Sequence, residues 1–197
     1  MAGIKKFDQG AALDALVTTF WTHGYEGTSI DDLEQATGLK RQSLYNAFGA
    51  KEAMYRLALA RYGDTVGTPI RAAIDCDDPL TGIRAFFDAH LARMEDESCP
   101  TGCLHTSACI EHGGTGTTLG RDVEQAVLAS ENALFETLNR WQSEGKLRND
   151  RNPRVLARFL VAFVRGLAVL HKATKNASAV REASEAGLEI MRAWLPS

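Results

Sequence analysis

TSIDDLEQATGLKRQSLYNAFGAK, residues 28–51, contains two short amphipathic segments divided by a glycine turn. Thr28 and Ser29 offer hydroxyls to cap the first segment, and the acid three residues beyond the capping one, Asp31 or Asp32, suits the positive end of a helix. Ile30, Leu33 and Ala36 form its expected inner stripe. Thr37-Gly38-Leu39 stops the pattern after two turns, and a second helix is expected from about Lys40 to Phe48, with Gly49 to close it. Such a pair lets one helix brace across a DNA backbone while the next enters the major groove.

The faces of the second helix follow from its period. At about 100° per residue, Phe48 lies about 40° from Leu44, whereas Gln42 and Asn46 lie about 160° and about 200° away. Gln42 and Asn46 therefore face away from the core, flanked by Ser43 and Tyr45, with Arg41 near Tyr45 and Lys40 at the helix start. Glutamine and asparagine amides form bidentate pairs with adenine, while Lys40, Arg41, Ser43, Tyr45 and Thr28 are types that hydrogen-bond phosphates or bases. Lys51, opening the next helix, adds a candidate phosphate contact. A helix pair of this kind also occurs as a plain piece of an α-helical core. Residues 1–60 carry six basic and seven acidic side chains, so charge does not decide between the two. Asp31, Asp32 and Glu34 sit on the first helix, and Lys40, Arg41, Lys51 and Arg56 in or after the second.

Outward from this stretch, ALDALVTTFWTHGYEGTSIDDLEQATGLKRQSLYNAFGAKEAMY, residues 12–55, resembles the N-terminal DNA-binding domain of the TetR family of transcriptional regulators. The resemblance rests on Phe20, Gly24-Tyr25, Thr28-Ser29, Ile30, Leu33, Ala36, Gly38-Leu39, Leu44-Tyr45, Phe48 and Lys51-Glu52, in register without insertion. It implies that Thr28, Tyr45 and Lys51 contact backbone phosphates and that Arg41, Gln42 and Asn46 face the bases. Two positions depart from the family pattern: Lys40 and Ala50 stand where a small hydroxyl residue is usual, each losing a helix cap worth about 1 kcal/mol.

The rest of the chain is similar to the family in length and helicity. No segment alternates like a half-buried strand, and apolar residues recur at three and four throughout, so the fold is expected to be all-α. Leu13, Leu16, Val17 and Phe20 stripe a first helix that ends at Gly24, and a longer helix is expected over 51–73. Further helices are expected at about 79–95, 103–112, 119–144, 153–174 and 178–195. The expected division is a helix-turn-helix domain over 1–50 and an effector-binding and dimerisation domain over 51–197. In the family, the last helices form a four-helix bundle between two subunits. Phe159, Ala162, Phe163, Gly166 and Leu170, with Val180, Ala183, Gly187, Leu188, Met191 and Trp194, supply apolar stripes for it, or for the core of one chain. Candidate pocket residues for a small-molecule effector are Phe86, Phe87, His90, Met94, Leu104, Leu128, Phe135 and Leu138, each of which also suits a plain core.

Composition sets the outer bounds. The 197 residues are 45% hydrophobic and 24% charged, a globular balance, and the net charge of −3 argues against a protein that coats nucleic acid without regard to sequence. The apolar run from Val155 to Leu170 is interrupted by Arg158 and Arg165 and falls short of the roughly 20 residues a membrane span needs. The start, MAGIKKFDQG, lacks the apolar stretch of an export signal, so a cytoplasmic location and free thiols are expected.

Cys99, Cys103 and Cys109 cluster with His105 and His112. They are open to three readings: packing, thiol sensing by a cysteine near a helix N-terminus, or a zinc site of unfamiliar spacing. The Gly113–Gly120 connector lacks a phosphate-loop ending, and no catalytic triad is recognisable. The sequence thus points to a homodimeric, effector-responsive repressor acting on a pseudo-palindromic DNA operator. It is expected to be no enzyme and to need no cofactor or metal. The alternatives are a thiol- or metal-sensing regulator, a metal- or thiol-dependent helical enzyme, or a helical adaptor that has lost DNA binding.

Overall fold

The computed structural model describes residues 7–196, and within them the chain is helical with no strand. Of the MAGIKKFDQG start read against an export signal, residues 1–6 lie outside that span. The helices are α1 (Gln9–His23), α2 (Ile30–Thr37), α3 (Arg41–Phe48), α4 (Lys51–Tyr62), α5 (Thr68–Ala72), α6 (Pro79–Glu95), α7 (Leu104–His112), α8 (Thr118–Ser143), α9 (Pro153–Thr174) and α10 (Ala177–Arg192).

Local chemistry sets most of these ends. Asp8, Ser29, Asp78, Thr117, Asn152 and Asn176 cap the starts of α1, α2, α6, α8, α9 and α10 with side-chain oxygens. Of the two acids offered for α2, Asp32 is the partner: its backbone N–H donates to Ser29 Oγ, and its carboxylate accepts from the Ser29 backbone, a reciprocal box. Lys40 and Ala50, the two departures from the family pattern, provide no side-chain cap to α3 and α4. Ala36, expected on the inner stripe of α2, is exposed; Leu33 alone of that helix is fully buried.

The helix expected over 51–73 is not uniform. After Tyr62 the backbone widens into a π turn, Gly63–Gly67, before α5 resumes the α geometry. Thr68 Oγ1 donates across that turn to the carbonyl of Gly63 at 3.1 Å. The extra residue in the turn shifts the phase between α4 and α5.

Two apolar cores organise the chain. In the first, Leu16, Phe20, Leu33, Leu44, Phe48, Met54, Tyr55 and Tyr62 bind α1 to α4 together, and Leu104, Ala108, Leu119 and Val123 from α7 and the start of α8 enter the same core. The second joins α6, α8, α9 and α10 through residues such as Phe86, Leu138, Trp141, Leu160 and Met191. Gly187 of α10 lets Phe163 of α9 approach closely, since a Cβ at that position would overlap the ring. Among the described residues no helix is long and apolar enough to cross a membrane.

Candidate nucleic-acid interface and ligand cavity

α3 buries Leu44 and Phe48 and presents Arg41, Gln42, Ser43, Tyr45 and Asn46 to the outside. That face is already internally bonded. Gln42 Nε2 donates to Asn46 Oδ1 at 3.0 Å, one turn apart, and the Arg41 guanidinium reaches back to Asp31 at 2.5 Å and Glu34 at 3.4 Å on α2. These ion pairs are exposed, so they position Arg41 at small energetic gain. Tyr45 is an exposed aromatic, and Lys40 is exposed at the helix start. Lys51 leans inward, its ammonium 4.4 Å from the ring centre of Tyr25.

Thr28 differs from the rest of the set. It is 1% exposed, and its hydroxyl donates to the Gly24 carbonyl at 2.6 Å, so in this conformation its side chain ties the turn between α1 and α2 rather than facing outward. Ser29, not Thr28, is the exposed hydroxyl there.

The α1–α2 turn is also fastened from behind. Glu111 of α7 accepts a hydrogen bond from the Tyr25 backbone N–H at 2.9 Å. Gly24 takes φ +76°, and a Cβ there would overlap the Glu111 carboxylate. Tyr25 and Tyr55 close edge-on over His112. α7 therefore touches the helix-turn-helix directly, a link that no residue pattern announced.

Behind α4 lies a cavity of about 650 Å³ between α4, α7, α8 and Arg165 of α9. A smaller one of about 80 Å³ lies beside it toward α6 and α9, and Arg71, His105, Ser130 and Arg165 belong to both walls. Of the eight candidate pocket residues, Phe86, His90 and Met94 line the smaller cavity. Phe87, Leu104 and Leu138 are buried in the cores, Leu128 is exposed on α8, and Phe135 is half-buried beneath the Arg154 guanidinium. The π turn contributes Gly63 to the larger cavity and Val66 to the smaller, with Gly67 beside it.

The wall of the smaller cavity carries arginines and no carboxylate, whereas the larger has two acids, Asp64 and Asp122, beside its arginines. Burial, reinforced by nearby Arg93, Arg165 and Arg71, pushes the His90 pKa down to about 3; burial likewise takes His105 down to about 4, against the bond between His105 Nε2 and the Leu59 carbonyl. Both imidazoles are neutral near pH 7. Cys103 lines the smaller cavity and Cys109 the larger; Arg165 Nη1 lies 3.2 Å from the Cys109 sulfur, yet burial outweighs that charge and raises the thiol. Cys99 lies in the loop before α7, its thiol against Asp96. Among the described residues no three of His, Cys, Asp and Glu gather closely enough to share a metal ion.

The stripes proposed for subunit contact divide. Val180, Gly187, Leu188 and Met191 are buried within the chain. Val155, Ala162, Gly166 and Val169 of α9 and Ala186 and Ile190 of α10 remain exposed, a set of small and branched apolar residues with the exposed Arg158 among those of α9.

Comparison with known proteins matches this arrangement twice over. Residues 12–58 match the family of bacterial regulatory proteins of the tetR type, and residues 79–186 match the tetracyclin repressor-like C-terminal domain. The chain is 29% identical over 167 residues to the HTH-type transcriptional repressor ComR of Escherichia coli, covering 84% of this chain and 80% of ComR. It is 25% identical to the HTH-type transcriptional regulator YezE of Bacillus subtilis over 95% of this chain and 97% of YezE. Among solved structures, a cysteine mutant of the TetR family transcriptional regulator CifR, complexed with 26-base-pair operator DNA, superposes with a TM-score of 0.87 at 28% identity, covering 96% of this chain and 98% of that one. Reduced NemR of Escherichia coli shares the fold, with a TM-score of 0.74 at 17% identity over 90% of this chain and 94% of NemR.

Proposed function

Since the chain belongs to the TetR family of bacterial regulatory proteins, we propose that it is a transcriptional repressor which binds a pseudo-palindromic operator as a homodimer and leaves it when a small molecule fills the cavity behind α4. The observation that carries this reading is the outward face of α3, with two amides, Arg41 and Tyr45 on a helix whose opposite side is locked into the core. Residues 1–50 act as the reading head and 51–197 as the effector and dimerisation domain. Arg41, Gln42 and Asn46 read base edges, while Lys40, Ser43, Tyr45 and Lys51 hold phosphates. Thr28 joins them only through the turn it ties.

The second subunit packs on the band formed by Val155, Ala162, Gly166, Val169, Ala186 and Ile190, where small residues allow close helix approach. One recognition helix covers only a few base pairs, so the two-fold pair supplies the length and symmetry of the site. A ligand shifts the population by its preference for a dimer with misplaced heads. The protein acts by binding, not turnover, and works in the cytoplasm, where an operator is within reach. Repression is favoured over activation by the likeness to ComR, a repressor. The thiol alternative gains no support from Cys109, whose thiolate is disfavoured where it sits.

The test is selection of random duplex DNA by the purified, reduced protein at near-physiological salt, followed by sequencing. A two-fold symmetric motif is the expected result. Retention without any enriched motif would overturn the reading.

A further inference from the structure

The smaller cavity has three guanidinium groups in its wall, Arg71, Arg93 and Arg165, and no carboxylate. Arg93 is well engaged: it donates to the carbonyls of Pro100 and Gly102 and lies over the Trp21 ring. Arg71 and Arg165 are not. Among the described residues each has one neutral side-chain contact, Arg71 to Thr68 Oγ1 at 2.9 Å and Arg165 to Cys109 Sγ at 3.2 Å, and neither forms an ion pair. A guanidinium has five N–H donors, so most of theirs find no protein acceptor.

The larger cavity does not restore the balance. Of its two acids, Asp122 is already paired with Arg56 at 2.5 Å, and Asp64 lies within electrostatic reach of Arg71 without forming an ion pair with it. The imidazoles of His90 and His105 are neutral and add no charge of either sign. In the wall of the smaller cavity the hydroxyl of Thr106, buried within α7, has no hydrogen-bond partner. Partly buried cations and an orphan hydroxyl converge on one space, an arrangement that is costly unless something complementary enters it. The remaining wall is apolar: Leu57, Ala60, Val123 and Ala126 line the larger space.

We propose that these adjoining cavities bind a small organic acid, its carboxylate received by Arg71 and Arg165, which line both, and its apolar body lodged in the larger one. Guanidinium forks match a carboxylate geometrically and hold it by charge-assisted bonds. The placement also reaches the reading head, because Arg71 follows the π turn at the end of α4, and Thr106 lies on the helix whose Glu111 fastens Tyr25. This inference rests on the reading of the cavity as the effector site.

Four probes test it by calorimetry on the full-length reduced protein: octanoate and 3-phenylpropanoate, with octanamide and 3-phenylpropanamide as their uncharged counterparts. At least one acid is expected to bind about tenfold or more tighter than its amide, a difference of about 1.4 kcal/mol. In R71Q/R165Q that preference falls to about one, while the ligand-free melting temperature stays level or rises, because two unpaired charges have gone. Equal binding of acid and amide, an acid preference that survives in the double variant, or no binding by any of the four overturns the proposal. A DNA-release assay run in parallel separates the two readings. An acid that binds through the arginines without moving DNA affinity keeps the anion site and sinks the effector reading. Release by the amides alone does the reverse.

Discussion

Gln42 Nε2 donates to Asn46 Oδ1 at 3.0 Å, so one donor and one acceptor of the pair are already engaged before DNA arrives. On the proposed reading, a base contact made by these bonded groups exchanges one hydrogen bond for another, and its net worth is the pairing with the base minus the bond given up. Q42A and N46A are each expected to lower affinity for the preferred duplex by about 1–3 kcal/mol and to flatten base preference at one position per half-site. K51A is expected to weaken selected and random duplexes alike and to reduce the salt slope by about one, measured by fluorescence titration over a range of salt. The histidines give a test by pH. With His105 down at about 4 and His90 at about 3, the unfolded chain binds protons between those values and about 6.5 that the folded chain does not, so stability rises with pH across that window. The melting temperature is expected to drop from pH 7 to pH 5, and H105Q to drop less. At this scale the outward residues of α3 were legible because a helix of two turns with two buried anchors leaves little choice of face. Thr28 was not, because a hydroxyl that caps or contacts phosphate has the same letter as one that folds back on Gly24.

Ala50, the residue at the N-cap of α4, is exposed and supplies no side-chain cap. A50S is expected to stabilise the protein by about 1 kcal/mol, seen as a higher denaturant midpoint with unchanged slope. The missing cap could be read from the sequence because capping is local. The π turn could not: Gly63 and Gly67 permit it, but whether the chain takes the extra residue into one turn depends on what α4 and α5 pack against. Nor could α7's grip on the reading head, since Glu111 and Tyr25 are remote in sequence and one hydrogen bond joins them. If that grip carries the signal, E111A should retain ligand affinity while losing most of the ligand's effect on DNA affinity, two titrations on one variant. Arg158 and Arg165 show the same limit. Both interrupt one apolar run, seven residues apart on one face of α9, yet Arg158 meets Glu131 of α8 while Arg165 meets the cavity and Cys109 of α7. What each arginine faces is decided by the neighbouring helices at its level.

In the whole molecule, helix order and class followed from periodicity, while the division of the last two helices between the chain's own cores and an outer face did not. The strongest stripes of α10, Val180, Leu188 and Met191, close the chain's own cores, and the weaker band around Gly166 and Ile190 is left outside. Hydrophobic strength marks burial, and it does not say within which molecule. I190E, at a position 54% exposed, is expected to leave the chain folded by circular dichroism but monomeric by sedimentation, and to lose preference for the two-fold motif while keeping weak binding to any duplex. A dimer of native-like helicity would show that the partner sits elsewhere. The closed amide bridge on α3 also bears on how such a dimer finds its site in a genome. While Gln42 holds Asn46, that donor and that acceptor are withheld from the bases, so on the proposed reading the duplex is held mainly by phosphate contacts and Arg41, and near matches have less to snag the protein with. On that reading, opening the bridge is what turns gliding into stopping, and the ease of opening it sets how long a look each stretch of duplex receives.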